Sequence, residues 1–150
     1  MMKDANLSYV LRTGTMLKDR YRIDEVLGAN GMTITYLAYD IFREQRIVIK
    51  ELFPNSIVER NPDDGLSVSC VQYSNEADFF TMKSHMIKKA KTLISLYPLE
   101  GIANMINVFE ENQTRYNVFV LGCIHISAQH ARGVPYLFFK ADVGIICCHK

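Results

Sequence analysis

The chain has 150 residues, of which 49% are hydrophobic and 22% charged, with a formal net charge of +1. This length is enough for one domain with a sizeable core, and the composition excludes disorder as the main state. A charge so close to neutral excludes general attraction to nucleic acid or to anionic membranes. Any bound anion must therefore be held by a local site.

The start of the chain mixes acids with bases and contains no apolar segment of the kind found in secretion signals. The two most apolar stretches do not predict a membrane span: residues 116–126 are too few, and Lys140 and Asp142 interrupt residues 134–148. The four cysteines have no framework spacing, so reduced thiols are expected. We expect a cytoplasmic protein with no membrane or nucleic-acid partner.

The first half of the chain predicts an antiparallel meander after a lead-in whose first dozen residues are frayed. Residues 20–27 alternate polar and apolar side chains, which indicates a strand. Residues 33–39 are dense in β-branched and aromatic side chains and predict a second strand, and residues 46–52 predict a third. The short polar connections favour antiparallel pairing.

A loop over residues 54–65 follows, and residues 66–73 predict a short extra strand. Ser74 is the expected N-cap of a helix with Glu76 and Asp78 in its first turn. Apolar residues then recur every three or four positions over about six turns, at Phe79, Met82, Met86, Ala90, Leu93 and Leu96 or Tyr97.

Two further strands are predicted over residues 102–109 and 116–121, joined as a hairpin by the loop of residues 110–115. The predicted fold class is α+β: a five-stranded antiparallel sheet with one long helix packed on it.

Two features point to a phosphate-binding site. The turn of residues 28–31 (GANG) joins two antiparallel strands, and its small residues let backbone N–H groups approach phosphate oxygens. Lys50 lies inside the apolar run of the third strand; if it faces inward it needs an anion, whereas an outward lysine would reach water. Either feature alone is weak, but together they fit the strand order of a kinase nucleotide site.

A longer resemblance to a protein family covers residues 12–54 and continues to about residue 121. It rests on Gly14 with Thr15, on Arg20 to Ile23 (RYRI), on the run ITYLA at residues 34–38, on Lys50, Glu51, Phe53 and Pro54, and on later stretches at 55–74, 91–93 and 109–112. In these motifs the chain resembles the N-terminal lobe of bacterial eukaryotic-like serine/threonine protein kinases.

That resemblance implies an ATP site, with magnesium entering as MgATP. Gly28 and Gly31 would lie over the phosphates, with Asn30 between them at the second glycine position, and Lys50 would contact the α- and β-phosphates. Leu27, Thr35 and Val48 would enclose the adenine. Phe119 would be the gatekeeper, and Val120 to Gly122 the hinge.

The chain departs from the family pattern in its helix and its glycine loop. Aligning residues 90–93 with the family puts Lys89 where a glutamate should pair with the strand lysine, and like charges there would repel. Glu76 is about 20 Å away along the helix and cannot substitute. Asn30 tolerates left-handed backbone angles and is a mild change, whereas the β-branched Thr33 at the third glycine position hinders close approach to phosphate.

The sequence contains no His-Arg-Asp catalytic loop and no Ala-Pro-Glu motif. Asp142-Val143-Gly144 follows the hinge too closely to act as the metal-binding Asp-Phe-Gly. Cys147, Cys148 and His149 lack metal-site spacing, and the Cys123 and His125 pair lacks a third partner. No catalytic and no metal-binding residue is therefore predicted.

We divide the chain into a lead-in at 1–19, an N-lobe at 20–122 and a divergent tail at 123–150. The predicted function is that of a truncated, ATP-binding kinase N-lobe, inactive in phosphoryl transfer as an isolated chain. The alternative is a non-catalytic pseudokinase or interaction module. Either way, the face that would meet a missing C-lobe is expected to bind a protein partner or a second copy.

Overall fold

The computed structural model describes residues 8–96 and 104–121. One six-stranded sheet dominates it, with neighbours in the order β1-β2-β3-β4-β8-β7 and every pair antiparallel. Its strands are β1 (Met16–Leu17), β2 (Tyr21–Ala29), β3 (Thr33–Asp40), β4 (Gln45–Leu52), β7 (Met105–Glu111) and β8 (Thr114–Val120). The five predicted strands are all present, and the two-residue β1 adds a sixth at the edge.

Along the chain, a second, two-stranded sheet follows the meander and precedes the helix. Its strands are β5 (Val58–Arg60) and β6 (Val68–Cys70), paired antiparallel. The predicted extra strand at 66–73 is thus confirmed as β6. Its partner β5 lies in the segment predicted as loop, where Val58 and Arg60 bury their side chains on one face.

The helix α1 spans Glu76–Ser95, and Glu76 and Asp78 stand in its first turn as predicted. The prediction of Ser74 as N-cap is wrong, because Tyr73–Asn75 form a 3-10 turn and Asn75 takes the N-cap position without a side-chain cap bond. Phe79 and Ala90 are buried, and Met82 and Met86 pack on the core. No helix in the described residues is long and apolar enough to cross a membrane.

The β7–β8 hairpin turns more tightly than predicted. Asn112 and Gln113 both have positive φ, at 52° and 64°, and form a two-residue turn in place of the predicted loop at 110–115. Positive φ at both central residues is the geometry whose twist matches that of the flanking strands. The turn therefore lengthens both strands and fixes their register.

Part of the lead-in packs against the sheet. Leu11 and Leu17 are buried in the main core cluster, and Tyr9 stacks on Phe53 with ring centroids 5.3 Å apart. The expectation of a frayed start is therefore wrong from Tyr9 onward. Burying these apolar side chains offsets the entropy lost in ordering the segment.

The alternation along β4 separates two environments. Ile47 and Ile49 point into the main core cluster, whereas Val48 belongs to a second cluster with Ala90 of α1. Side chains alternate across a strand, so Glu51 shares the face of Ile49, and Lys50 shares the face of Val48. Lys50 is thus on the face that carries Val48 and packs against Ala90 of α1, which we call the helix-side face.

Glu51 is fully buried and accepts four hydrogen bonds on the face opposite Lys50. Arg60 donates from both terminal nitrogens, at 2.7 Å to each carboxylate oxygen, and the hydroxyls of Tyr36 and Tyr116 donate at 2.7 and 3.0 Å. Burial, and then the Glu51 charge, raises the pKa of both tyrosines, which stay neutral donors. We call Glu51, Arg60, Tyr36 and Tyr116 the buried carboxylate network.

This network ties two separate segments to the sheet. Arg60 brings in β5 and donates to the backbone carbonyls of Tyr9 and Leu66, each at 2.8 Å. The Tyr36 hydroxyl accepts the Leu11 N–H at 3.1 Å. The start of the chain, the β5–β6 sheet and strand β4 are therefore held in one arrangement.

Candidate functional site

The helix-side face carries a row of residues aligned across four strands. Strand register pairs Gly28 of β2 with Thr35 of β3, Thr35 with Lys50 of β4, and Lys50 with Asn117 of β8. Directly paired residues in an antiparallel sheet lie on one face, with Cβ atoms about 5 Å apart. Lys50 therefore lies on the same face as the start of the glycine-rich turn, at a distance of two strands from it.

Lys50 is half-buried, and its Nζ lies 5.9 Å from the centroid of the Phe119 ring. Burial lowers the pKa of Lys50 to about 8, because removal from water disfavours the charged form. A phosphate oxygen next to such an amine would favour its protonated form. Burial thus disfavours the charged form of Lys50, and a bound anion would stabilise it.

A cluster of apolar residues lies next to Lys50 on the same face of the sheet. Val48 and Phe119 are both buried and contact the same cluster, against which Leu27 and Leu121 pack. Ala90 of α1 closes the cluster from the helix side. Of the residues predicted to enclose an adenine, Leu27 and Val48 therefore meet in one cluster, while Thr35 lies beside Lys50.

The glycine-rich turn is closed by the side chain of Asn30. Its Oδ1 accepts the backbone N–H groups of Met32 and Thr33, both at 2.8 Å, and Asn30 N–H donates to the Thr33 carbonyl at 3.0 Å. Asn30 is outside the left-handed region, so the expected advantage of asparagine there is not used. Two amide donors of the loop are instead occupied by Asn30 itself.

Gly28 is not required by the protein's own packing. Its φ is not positive, and a Cβ built at this position would meet no atom within 4 Å. A Cβ at Gly31 would come no closer than 4.0 Å to Asn55 Oδ1. The space in front of both glycines is open, which leaves room for the approach of a ligand.

The helix presents no acid to Lys50. Lys89, at the position where the family pattern has a glutamate, is exposed, whereas the next residue, Ala90, is fully buried against the sheet. From Phe79 to Ser95 the sequence contains no Asp or Glu. The repulsion between Lys50 and Lys89 considered from the sequence is relieved because Lys89 faces solvent.

The sequence reasoning missed Asn117. Its Oδ1 is buried and has no hydrogen-bond partner within the described part of the chain, although it is the cross-strand neighbour of Lys50. A polar residue at the centre of the apolar run 116–121 was the signal that could have found it.

Several predicted residues lie close to residue 121, where the described part of the chain ends, or after it. Val120 is half-buried and its N–H donates to the Asn104 carbonyl at 2.9 Å, while Gly122, the last predicted hinge residue, lies outside the described residues. The weak metal and nucleophile candidates of the tail also lie outside them. Within 8–96 and 104–121 no group of His, Cys, Asp and Glu is arranged to hold a metal ion.

Comparison with solved structures supports a kinase-like relationship. The solved structure of PpkA-294 in its apo form, a fragment of a bacterial Ser/Thr kinase, superposes with a TM-score of 0.70 at 29% sequence identity. The fold is α+β and kinase N-lobe-like. This N-lobe-like chain aligns over 77% of its own length and spans 40% of the PpkA-294 chain. No protein-family model and no curated protein matches the sequence.

Proposed function

We propose that this N-lobe-like chain binds MgATP on the helix-side face of its sheet. Lys50 contacts the α- and β-phosphates, the turn of residues 28–31 lies over them, and the adenine lies against Leu27 and Val48. Phe119 limits the depth of the adenine pocket as its gatekeeper. The edge of the ring bonds the backbone of Val120 to Gly122.

The observation that carries this proposal is the position of Lys50. Its side chain is half-buried on the face shared with Gly28 and Thr35, next to the apolar cluster that contains Val48 and Phe119. Burial there lowers the pKa of Lys50 to about 8, so an anion beside the ammonium group would favour its charged form. A bound phosphate would be such an anion.

The proposal for these 150 residues ends at binding. Phosphoryl transfer to a protein hydroxyl needs a catalytic base and Mg²⁺ ligands, and no motif for either is present in the sequence. Residues outside this chain would have to supply them.

A second candidate is a pseudokinase or interaction module that binds no nucleotide. The exposed Lys89 and the occupied loop amides favour it, because both remove contacts that align phosphates in an active site. In that case a protein partner, or a second copy of the chain, covers the helix-side face.

A thermal-unfolding series with nucleotides distinguishes the two candidates. A ligand that binds only the folded chain stabilises it by about 2.7 kcal/mol at one hundred times its Kd. We expect MgATP and MgADP to raise Tm by several degrees, and adenosine, which lacks phosphates for Lys50, to raise it far less. Equal Tm values with and without several millimolar MgATP would contradict nucleotide binding and favour the interaction module.

A further inference from the structure

The outer side of α1 carries two aromatic side chains that the fold leaves in water. Tyr73, just before the helix, is 86% exposed, and Phe80 is 68% exposed. Both line one shallow groove, together with Glu76, Ala77 and Thr81. Single exposed rings are common, whereas two large rings along one groove are typical of a surface that contacts another molecule.

The groove continues toward the end of the helix as a row of exposed side chains. Residues three or four positions apart lie on the same side of a helix. This side is separate from the one that buries Phe79 and Ala90. We call its exposed residues the outer stripe: Glu76, Ala77, Phe80, Ser84, Lys88 and Lys91.

The two ends of the outer stripe carry opposite charges. Glu76 stands in the first turn, whereas Lys88 and Lys91 stand in the second half of the helix, and residues 79–95 include no Asp or Glu. Within residues 8–96 and 104–121 none of these three side chains forms an ion pair. The two lysines, three positions apart, repel each other. Each end is therefore complementary to the opposite end of a second, antiparallel helix.

The spacing of the outer stripe is symmetric about Ser84. Phe80 and Lys88 lie four residues to either side of it, while Glu76 lies eight residues before it and Lys91 seven after. If two copies of α1 cross antiparallel with a two-fold axis at Ser84, Phe80 of each copy faces Lys88 of the other. At a rise of about 1.5 Å per residue, Glu76 and Lys91 of the second copy differ in level by about 1.5 Å.

The polar residues at the centre can be covered without losing hydrogen bonds. Ser84 Oγ donates to the Phe80 carbonyl at 3.0 Å, and Thr81 Oγ1 donates to the Ala77 carbonyl at 3.0 Å. Because both hydroxyl protons are already bonded within the helix, contact with another helix leaves neither unpaired. Small side chains at these positions also allow two helices to approach closely.

We propose that the outer stripe is a dimerisation surface, covered by the outer stripe of a second copy of this chain in antiparallel orientation. Glu76 of each copy pairs with Lys91 of the other, and the stem of Lys88 lies along the Phe80 ring of the other, with its ammonium group near the ring face. Two-fold symmetry forms each contact twice. The inference is independent of the proposed function, because the outer stripe contains no residue of the nucleotide site.

Sedimentation velocity of the full chain over about 5 to 500 µM tests the surface, because one helix per copy gives a small interface and hence a weak, concentration-dependent dimer. Glu76→Lys and Lys91→Glu should each raise the dimer Kd at least about tenfold, since each places like charges opposite one another at two symmetric positions. Lys89→Glu is the matched control. It reverses the same kind of charge at an exposed position of α1 outside the outer stripe, and should leave the dimer unchanged.

Mixing the two variants makes the test specific to the proposed pairing. In an equimolar mixture of Glu76→Lys and Lys91→Glu, both symmetric positions join a lysine to a glutamate. The mixture should therefore form a dimer about as tight as that of the unaltered chain, although each variant alone is a monomer at the same concentration. Far-UV circular dichroism verifies that both variants fold.

Three results would overturn the inference. A chain that stays monomeric over the whole concentration range would leave the outer stripe to a different protein. A dimer that both charge reversals leave intact would use another surface, such as the helix-side face. A mixture of the two variants that stays monomeric would show that Glu76 and Lys91 do not face each other across the dimer.

Discussion

Replacing Glu51 with glutamine should destabilise the chain by about 3 to 5 kcal/mol, the cost of removing one partner from a buried ion pair. Glu51 is fully buried, and the Arg60 side chain is 3% exposed, so the guanidinium left behind could not be solvated. Small domains have total stabilities of about 5 to 15 kcal/mol. Urea unfolding followed by circular dichroism measures the loss.

An exposed ion pair in the same sheet provides the matched control. Arg22 and Asp24 lie 2.7 Å apart with side chains 47% and 29% exposed, so Asp24→Asn should cost less than about 1 kcal/mol. The double variant Glu51→Met with Arg60→Met should recover part of the loss, because it leaves no buried charge unpaired. Equal effects of Glu51→Gln and Asp24→Asn would show that the buried carboxylate network does not hold the fold together.

The second large effect is expected from Lys50→Met, which should stabilise the unliganded chain while abolishing its response to MgATP. Methionine keeps most of the apolar stem and removes an ammonium group whose burial is unfavourable. Because Lys50 is only half-buried, solvent screening reduces the gain to about 1 kcal/mol. Thermal unfolding of both proteins, with and without MgATP, measures the two effects together.

The stability difference between Lys50→Met and the unaltered chain should depend on pH. The pKa of Lys50 is about 8 in the folded chain and 10.5 when unperturbed. Between these values the unfolded chain binds more protons than the folded one, so the stability of the unaltered chain rises with pH relative to the variant. The advantage of methionine should therefore be complete below about pH 8 and shrink toward pH 10.5.

A lysine that merely packs its stem against the sheet would behave differently. Its replacement would cost stability at every pH and would leave the MgATP response as it was. Such a result would remove the reason to regard Lys50 as part of a ligand site.

Local sequence patterns predicted the strands and the helix, because each of these elements depends on residues that are close together in the chain. The alternation in residues 20–27 and the β-branched run at 33–39 each define a strand without reference to the rest of the chain. The sequence left open which way Lys50 faces, and the structure places it on the face of Val48. The helix position followed from the spacing of its apolar residues, while its N-cap was missed because a 3-10 turn precedes it.

The parts that sequence did not predict depend on residues far apart in the chain. The role of Glu51 appears only when Arg60, Tyr36 and Tyr116 reach it from three other strands. Asn117 becomes the neighbour of Lys50 only through the β4–β8 register, which no local turn determines. The packing of Leu11 likewise needs the Tyr36 hydroxyl, 25 positions away.

Protection of Lys50 from acetylation by MgATP tests the proposed site most directly. At ten times its Kd the nucleotide leaves about one chain in eleven unoccupied, so the rate of Lys50 modification should fall about tenfold. The exposed Lys89 and Lys91 should react at the same rate with and without nucleotide. Lys50 modified at an unchanged rate in 10 mM MgATP would contradict the account.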